Sequence, residues 1–155
     1  MELFTEIVRT SNIRQVSGIL RENLPSIFKS KCFNDSNLPF SKEVKNTEVG
    51  HLFEHILLEH LTHFKLSMGF DETEFYGETS WNWVKDPVGV FYIDISIGYE
   101  ERYILTYALE KSIKLMNKIL STIPYYENRF NNHLNYQIAN QYKNYFTKQA
   151  LGLPA

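Results

Sequence analysis

Two histidines four residues apart, with a glutamate directly before the second, are the side chains of this sequence best placed to do chemistry: His51, Glu54 and His55 in the run H-L-F-E-H. On a helix, positions four apart lie one turn apart on the same face, so His51 and His55 can aim ring nitrogens at one point while Glu54 flanks it. Neutral imidazoles suit a borderline-soft divalent cation such as zinc, and a carboxylate outside the ligand set can take a proton from water activated there. The order is the mirror image of the H-E-x-x-H pattern of zinc hydrolases. His51 and His55 are therefore read as metal ligands, Glu54 as general base and zinc as the cofactor. The same residue types also arise at helical spacing on solvated helix faces.

A helix has to carry this pattern. Residues 47–66 are apolar-periodic, and Leu52, Phe53, Ile56, Leu57 and Leu61 supply a buried sector beside the histidine stripe. Glu59, four residues after His55, is placed to orient that ring. His60 and His63 point away from His51 and read as surface or supporting residues. Upstream, residues 3–10 read as a strand, 16–28 as a helix interrupted at Pro25, and 32–46 as a polar loop. Downstream, 72–80 reads as a weak strand leading into a loop through Trp81, Trp83 and Pro87. Residues 90–97 alternate strictly, with Phe91, Ile93, Ile95 and Ile97 on one face and Tyr92, Asp94 and Ser96 on the other. A long helix over 100–120 carries Ile104, Leu105, Ala108, Leu109, Met116 and Ile119 as its packed stripe, and a last helix is expected over 127–148. This order predicts a two-layer α+β domain, helices packed on one face of a small, mainly antiparallel sheet, as a single domain over residues 1–155.

Composition narrows the function classes. A chain of 155 residues, 43% hydrophobic and 15% aromatic, supports one well-packed core. Its formal net charge of -2 offers no general attraction to nucleic acid or to anionic membranes. No apolar run reaches the roughly 18 residues of a membrane span, and the start Met1-Glu2-Leu3-Phe4 lacks the basic residues of a signal peptide, so a cytoplasmic location is expected. The single Cys32 excludes an internal disulfide and a thiolate cluster, which leaves His, Asp and Glu as expected ligands and Cys32 as a small semi-buried residue. No G-x-x-x-x-G-K-[ST] phosphate loop occurs, which argues against ATP-driven ligation. Tyr125, Tyr126, Phe130, Tyr136, Tyr142, Tyr145 and Phe146 crowd the final segment and read as core or as a homo-oligomer contact, with stacking on substrate guanidinium groups as the other use of such rings.

Taken in order, the segments Leu24-Pro25-Ser26-Ile27-Phe28 leading to Cys32, Val49-Gly50-His51-Leu52-Phe53-Glu54-His55-Ile56, Gly77-Glu78-Thr79, Gly89-Val90-Phe91, Glu100-Glu101 opening a helix, and the tail Ala150-Leu151-Gly152-Leu153-Pro154 resemble the N-terminal domain of cyanophycin synthetase. Glu78 stands where that family usually carries Arg or Lys. In those synthetases the domain precedes ATP-grasp and Mur-ligase-like domains that build an arginine-decorated aspartate polymer. The pattern is also similar to pitrilysin-type peptidases and S-ribosylhomocysteine lyase, which share the inverted zinc pentad. The resemblance implies zinc-dependent hydrolysis of a peptide or isopeptide-like amide, with an Arg/Asp-rich polymer as substrate. Its alternatives are a non-catalytic binding module for such a polymer or for a partner synthetase, and a metal-dependent lyase or isomerase of a small polar substrate. In the pitrilysin-type and lyase families a third ligand arrives after the second long helix, which points to Glu127, with His133 and Glu101 as the other candidates.

Overall fold

The long apolar-periodic run folds as expected, into a helix that both carries the histidines and forms half of the core. The computed structural model describes residues 8–33, 38–71 and 73–123, and residues 1–122 group as one unit apart from 123–155. Among the described residues the elements are α1 (Val16–Asn23), α2 (Phe40–Glu43), α3 (Val49–Ser67), β1 (Tyr76–Ser80), β2 (Tyr92–Ser96) and α4 (Arg102–Leu120). This is α+β, helices beside a small antiparallel sheet. No helix among the described residues is long and apolar enough to cross a membrane.

Helices α3 and α4 are antiparallel, since His60 meets Ser112 and, at a later level of α3, Lys65 pairs with Glu101. Leu57 and Leu61 interlock with Ile104, Ala108 and Leu109, flanked by Phe53, Phe64, Phe75, Ile95 and Ile97. Each fully buried aliphatic of this kind contributes about 1.5–3 kcal/mol relative to exposure. Gly69, at φ +89°, takes the left-handed conformation that ends α3 after Met68.

The hairpin covers one side of α3. β1 and β2 pair antiparallel with Gly77 opposite Ile95 and Thr79 opposite Ile93. These four residues are the half-buried set of the alternation, while Tyr76, Glu78, Tyr92 and Asp94 are exposed. The face read from 90–97 is therefore the face that packs.

The helix expected over 16–28 breaks at Pro25, as its missing N–H predicts: α1 ends at Asn23 and Pro25 opens a short 3-10 turn, Pro25–Lys29. One expectation changes in detail. The loop over 32–46 contains α2, whose Phe40 is completely buried and stacks on the His55 ring, a non-local contact that no local period announces. The strand over 3–10 lies mostly outside the described residues; at its described end Arg9 forms a single bridge to Glu48 before a 3-10 turn at Thr10–Asn12. The helix expected over 127–148 lies outside the described residues.

Candidate metal centre

The first turns of α3 bring His51 and His55 together with their rings 4.8 Å apart, centre to centre. A third donor comes from upstream: Cys32 Sγ lies 3.4 Å from His51 Nε2. The ligand atoms of Cys32, His51 and His55 all fall within 4.8 Å of one another. Tetrahedral zinc, with Zn–S about 2.3 Å and Zn–N about 2.0–2.1 Å, sets ligand–ligand separations of roughly 3.3–3.6 Å. The sulfur–nitrogen pair already has that spacing, and the remaining pairs, within 4.8 Å, would close to it on binding. One thiolate and two imidazoles form a donor set that zinc accepts, with a fourth position left for water or substrate.

Each ring is held by something the pentad does not contain. His55 is buried and stacks on Phe40, centroids 4.0 Å apart and planes 22° from parallel. Burial, and then the neighbouring His51, hold its imidazole down at about 3, so it stays neutral with a lone pair to give. His51 is half-buried, and its Nδ1 lies 2.7 Å from Thr47 Oγ1, which leaves Nε2 toward Cys32.

Glu54 is buried and receives a hydrogen bond from Thr79 Oγ1, at 2.5 Å to Oε2. Burial pushes its carboxyl above the ordinary range; the Thr79 hydrogen bond and the charge of His51 oppose this, and Glu78 reinforces it. The strand can approach because residue 77 is glycine: a Cβ there would stand 2.9 Å from Glu54 Cγ and 2.8 Å from Ile95 Cδ1. Gly50 performs the same service for the loop, since a Cβ at that position would meet the Phe91 ring at 2.4 Å. Phe91 in turn contacts Trp81 and Trp83 edge-on. The G-E-T and G-V-F segments thus close over α3 at the pentad.

Cys32, His51, Glu54, His55 and Thr79 share one cleft of about 520 Å³. Its walls carry Glu43, Glu48, Glu59, Glu74 and Glu78 besides Glu54, against Arg9 and Lys31 as the basic side chains. Arg9 is itself paired with Glu48. Phe33, Tyr76 and Trp81, all exposed rings, stand at its edges.

Two sequence expectations are corrected by this arrangement, and the candidates for a third ligand are sorted. Cys32, expected to be a small semi-buried residue outside the ligand set, is buried and is the described residue that joins the two histidines; it sits 19 positions before His51, just after the turn at Pro25–Lys29. Glu59 does not orient His55: it turns the other way along the helix and pairs with His63 at 3.3 Å, leaving the orienting contact to Phe40. Glu101 pairs with Lys65 and accepts the Gly98 N–H. Lys65 is 65 − 51 = 14 residues past His51, roughly 21 Å along the helix at 1.5 Å per residue, so Glu101 is remote from the cluster. Glu127 and His133 lie outside the described residues. His60 and His63 face away from the cleft as expected, bonded to Ser112 and Ser26.

No curated protein and no solved structure matches the chain. The cyanophycin synthase-like N-terminal domain family does, over residues 1–121, so the match takes in the pentad, the G-E-T strand and the Glu100-Glu101 helix start but stops short of the Leu-Gly-Leu-Pro tail. With more than half its length matched, and with that match spanning every residue of the Cys32, His51, Glu54 and His55 cluster, the chain belongs to the cyanophycin synthase-like N-terminal domain family.

Proposed function

We propose that this protein is a zinc-dependent hydrolase of peptide or isopeptide-like amide bonds with a role linked to cyanophycin synthesis, in which Cys32, His51 and His55 hold the metal and Glu54 is the general base. One observation carries the reading: three ligand-type atoms within 4.8 Å of one another, in the same cleft as a buried carboxylate held by a threonine. Bound zinc supplies Lewis acidity toward a carbonyl oxygen and makes water in its reach easier to deprotonate. Glu54 then accepts the proton of the attacking water and passes it to the departing amine. Thr79 holds Oε2, which leaves the other carboxylate oxygen for that task. Phe40 keeps the His55 ring in place from the side away from solvent. The Cys32 donor makes a ligand from the C-terminal quarter, Glu127 or His133, unnecessary for a three-ligand site.

The cleft also favours a class of substrate. Outside the Arg9–Glu48 pair, five glutamates against Lys31 make a negative field that draws cations. Trp81 and Phe33 at the edge offer ring faces on which a guanidinium stacks. Arginine-bearing peptide or polymer suits both features. They equally suit a binding module that holds such a polymer without cutting it.

The experiment is elemental analysis of untagged protein, followed by assay of wild type and Glu54→Gln on arginine-aspartate polymer and on generic peptides. About one zinc per chain is expected in both proteins, with amine release lower in Glu54→Gln by on the order of 10²–10⁴-fold. Polymer binding without amine release from the wild type supports the binding module instead. Absence of metal after zinc supplementation rejects the metal reading altogether.

A further inference from the structure

The N-terminal end of α3 is clamped by a segment to which the pentad gives no clue. Thr10 and Thr47 bond reciprocally: the Thr10 N–H donates to Thr47 O at 2.8 Å, and the Thr47 N–H donates to Thr10 Oγ1 at 2.9 Å. Both residues are buried. Arg9 reaches across the same junction to Asn46 and Glu48, and the Val49 N–H donates to Val8 O at 2.8 Å. Thr47, one turn before His51, is thereby fixed in position with its hydroxyl 2.7 Å from Nδ1 of that ring. Thr47 itself is only 2% exposed.

Resting on the zinc reading above, the geometry points to Thr47 as the positioning residue that makes Nε2 of His51 the metal-facing atom. A neutral imidazole carries one ring proton, and the nitrogen that keeps it is chosen by the partner of the other. The Thr47 hydroxyl can accept a hydrogen bond from Nδ1–H, which leaves the Nε2 lone pair directed to the side where Cys32 Sγ lies 3.4 Å away. Valine at 47 keeps the branched shape but removes the acceptor. Nδ1–H would then lose its protein acceptor, and the ring would be released to flip or to carry its proton on Nε2. Both outcomes oppose ligation. Thr10 serves the same end at one remove, by fixing the backbone from which Thr47 acts.

The test is zinc affinity of the full chain, read by competition with a chromophoric chelator, for wild type, Thr47→Val and Thr47→Ser. Melting of the metal-free proteins controls for folding. Thr47→Val is expected to bind zinc more weakly by on the order of 10–100-fold, as loss of a hydrogen-bond partner to a ligating histidine does, and Thr47→Ser to recover most of that loss. A folded Thr47→Val that binds as tightly as wild type overturns the inference and leaves the zinc reading standing. A wild type that binds no zinc overturns both. Should Thr47→Val not fold, nitrogen-15 shifts of the His51 ring in zinc-loaded wild type decide the matter: a proton on Nδ1 supports the role, and a proton on Nε2 overturns it.

Discussion

The two halves of α3 carry nearly the same residues and do different things with them. The first half presents His51, Glu54 and His55; the second presents Glu59, His60 and His63. On a bare helix the two sets would be hard to rank, since both place a carboxylate and two imidazoles within about one turn. The difference is made by what packs over them. Above the first set lie Cys32, a glycine-bearing strand and a buried phenylalanine, which bring a third donor, a held carboxylate and a backed ring into one cleft. Over the second lie Ser112 of α4 and Ser26, which satisfy His60 and His63 separately and in different directions. Glu59 and Ser26 both meet the same nitrogen of His63, Nε2, so that serine, histidine and glutamate do not form a relay through the ring. A motif of this kind is therefore a property of the neighbours as much as of the pentad.

The largest expected effect comes from removing donors in the first half. His55→Ala, His51→Ala or Cys32→Ser should each lower zinc affinity by orders of magnitude, because two remaining ligands are too few for a stable site. His60→Ala and His63→Ala should leave zinc stoichiometry at the wild-type value. Equilibrium dialysis across the five variants decides the point. Retention of zinc in Cys32→Ser with loss in His55→Ala would return the third ligand to another residue, Glu127 included.

That prediction also shows what was legible beforehand and what was not. The helix, the strand alternation over 90–97 and the packed stripe of α4 all announce themselves through local periodicity, which depends only on neighbours in sequence. Cys32 and Phe40 do not. Their part depends on a 3-10 turn and a four-residue helix returning a polar-looking loop to the face of α3, a non-local event with no period to read. The sole cysteine of a chain with two suitably spaced histidines was the available signal for Cys32. Glu59 was misassigned for the complementary reason, since a helical residue has neighbours four positions away in both directions.

A smaller effect isolates the strand that covers the first half. Gly77→Ala inserts a methyl into the contact with Glu54 and Ile95, and overpacking of this sort costs about 1–3 kcal/mol. Gly18→Ala is the control. It lies within α1 with nothing inside 4 Å of the added carbon, so the better helix former should stabilise by about 0.5–1 kcal/mol. Denaturant midpoints measured for both should move in opposite directions, and Gly77→Ala should also lose amide hydrolysis while keeping zinc. Equal, favourable shifts would mean that β1 does not press on Glu54, and the contrast between the two halves would lose one of its causes.

The smallest effect belongs to the second half and is a matter of pH. Burial, followed by the nearby charges of His63 and Lys111, holds His60 down at about 4, below the ordinary 6.5. In the window between those values the unfolded chain takes up a proton at His60 that the folded chain refuses. The stabilisation is therefore complete above the upper value and is lost as pH falls through the window toward 4. His60 is only half-buried, so solvent screening reduces the full linkage value to about 1–2 kcal/mol. Ser112 donates its hydroxyl to Ala108 O at 2.6 Å and remains satisfied without the ring, which makes His60→Gln a mild replacement. Urea unfolding of the chelator-treated wild type and of His60→Gln across the window should show the variant losing less stability than the wild type by that amount. Subtracting one curve from the other removes the common contribution of His55, whose imidazole is also held down by burial. Parallel curves would show that His60 titrates alike in both states, and that the second half of α3 is a more open, solvated face than its contact with Ser112 implies.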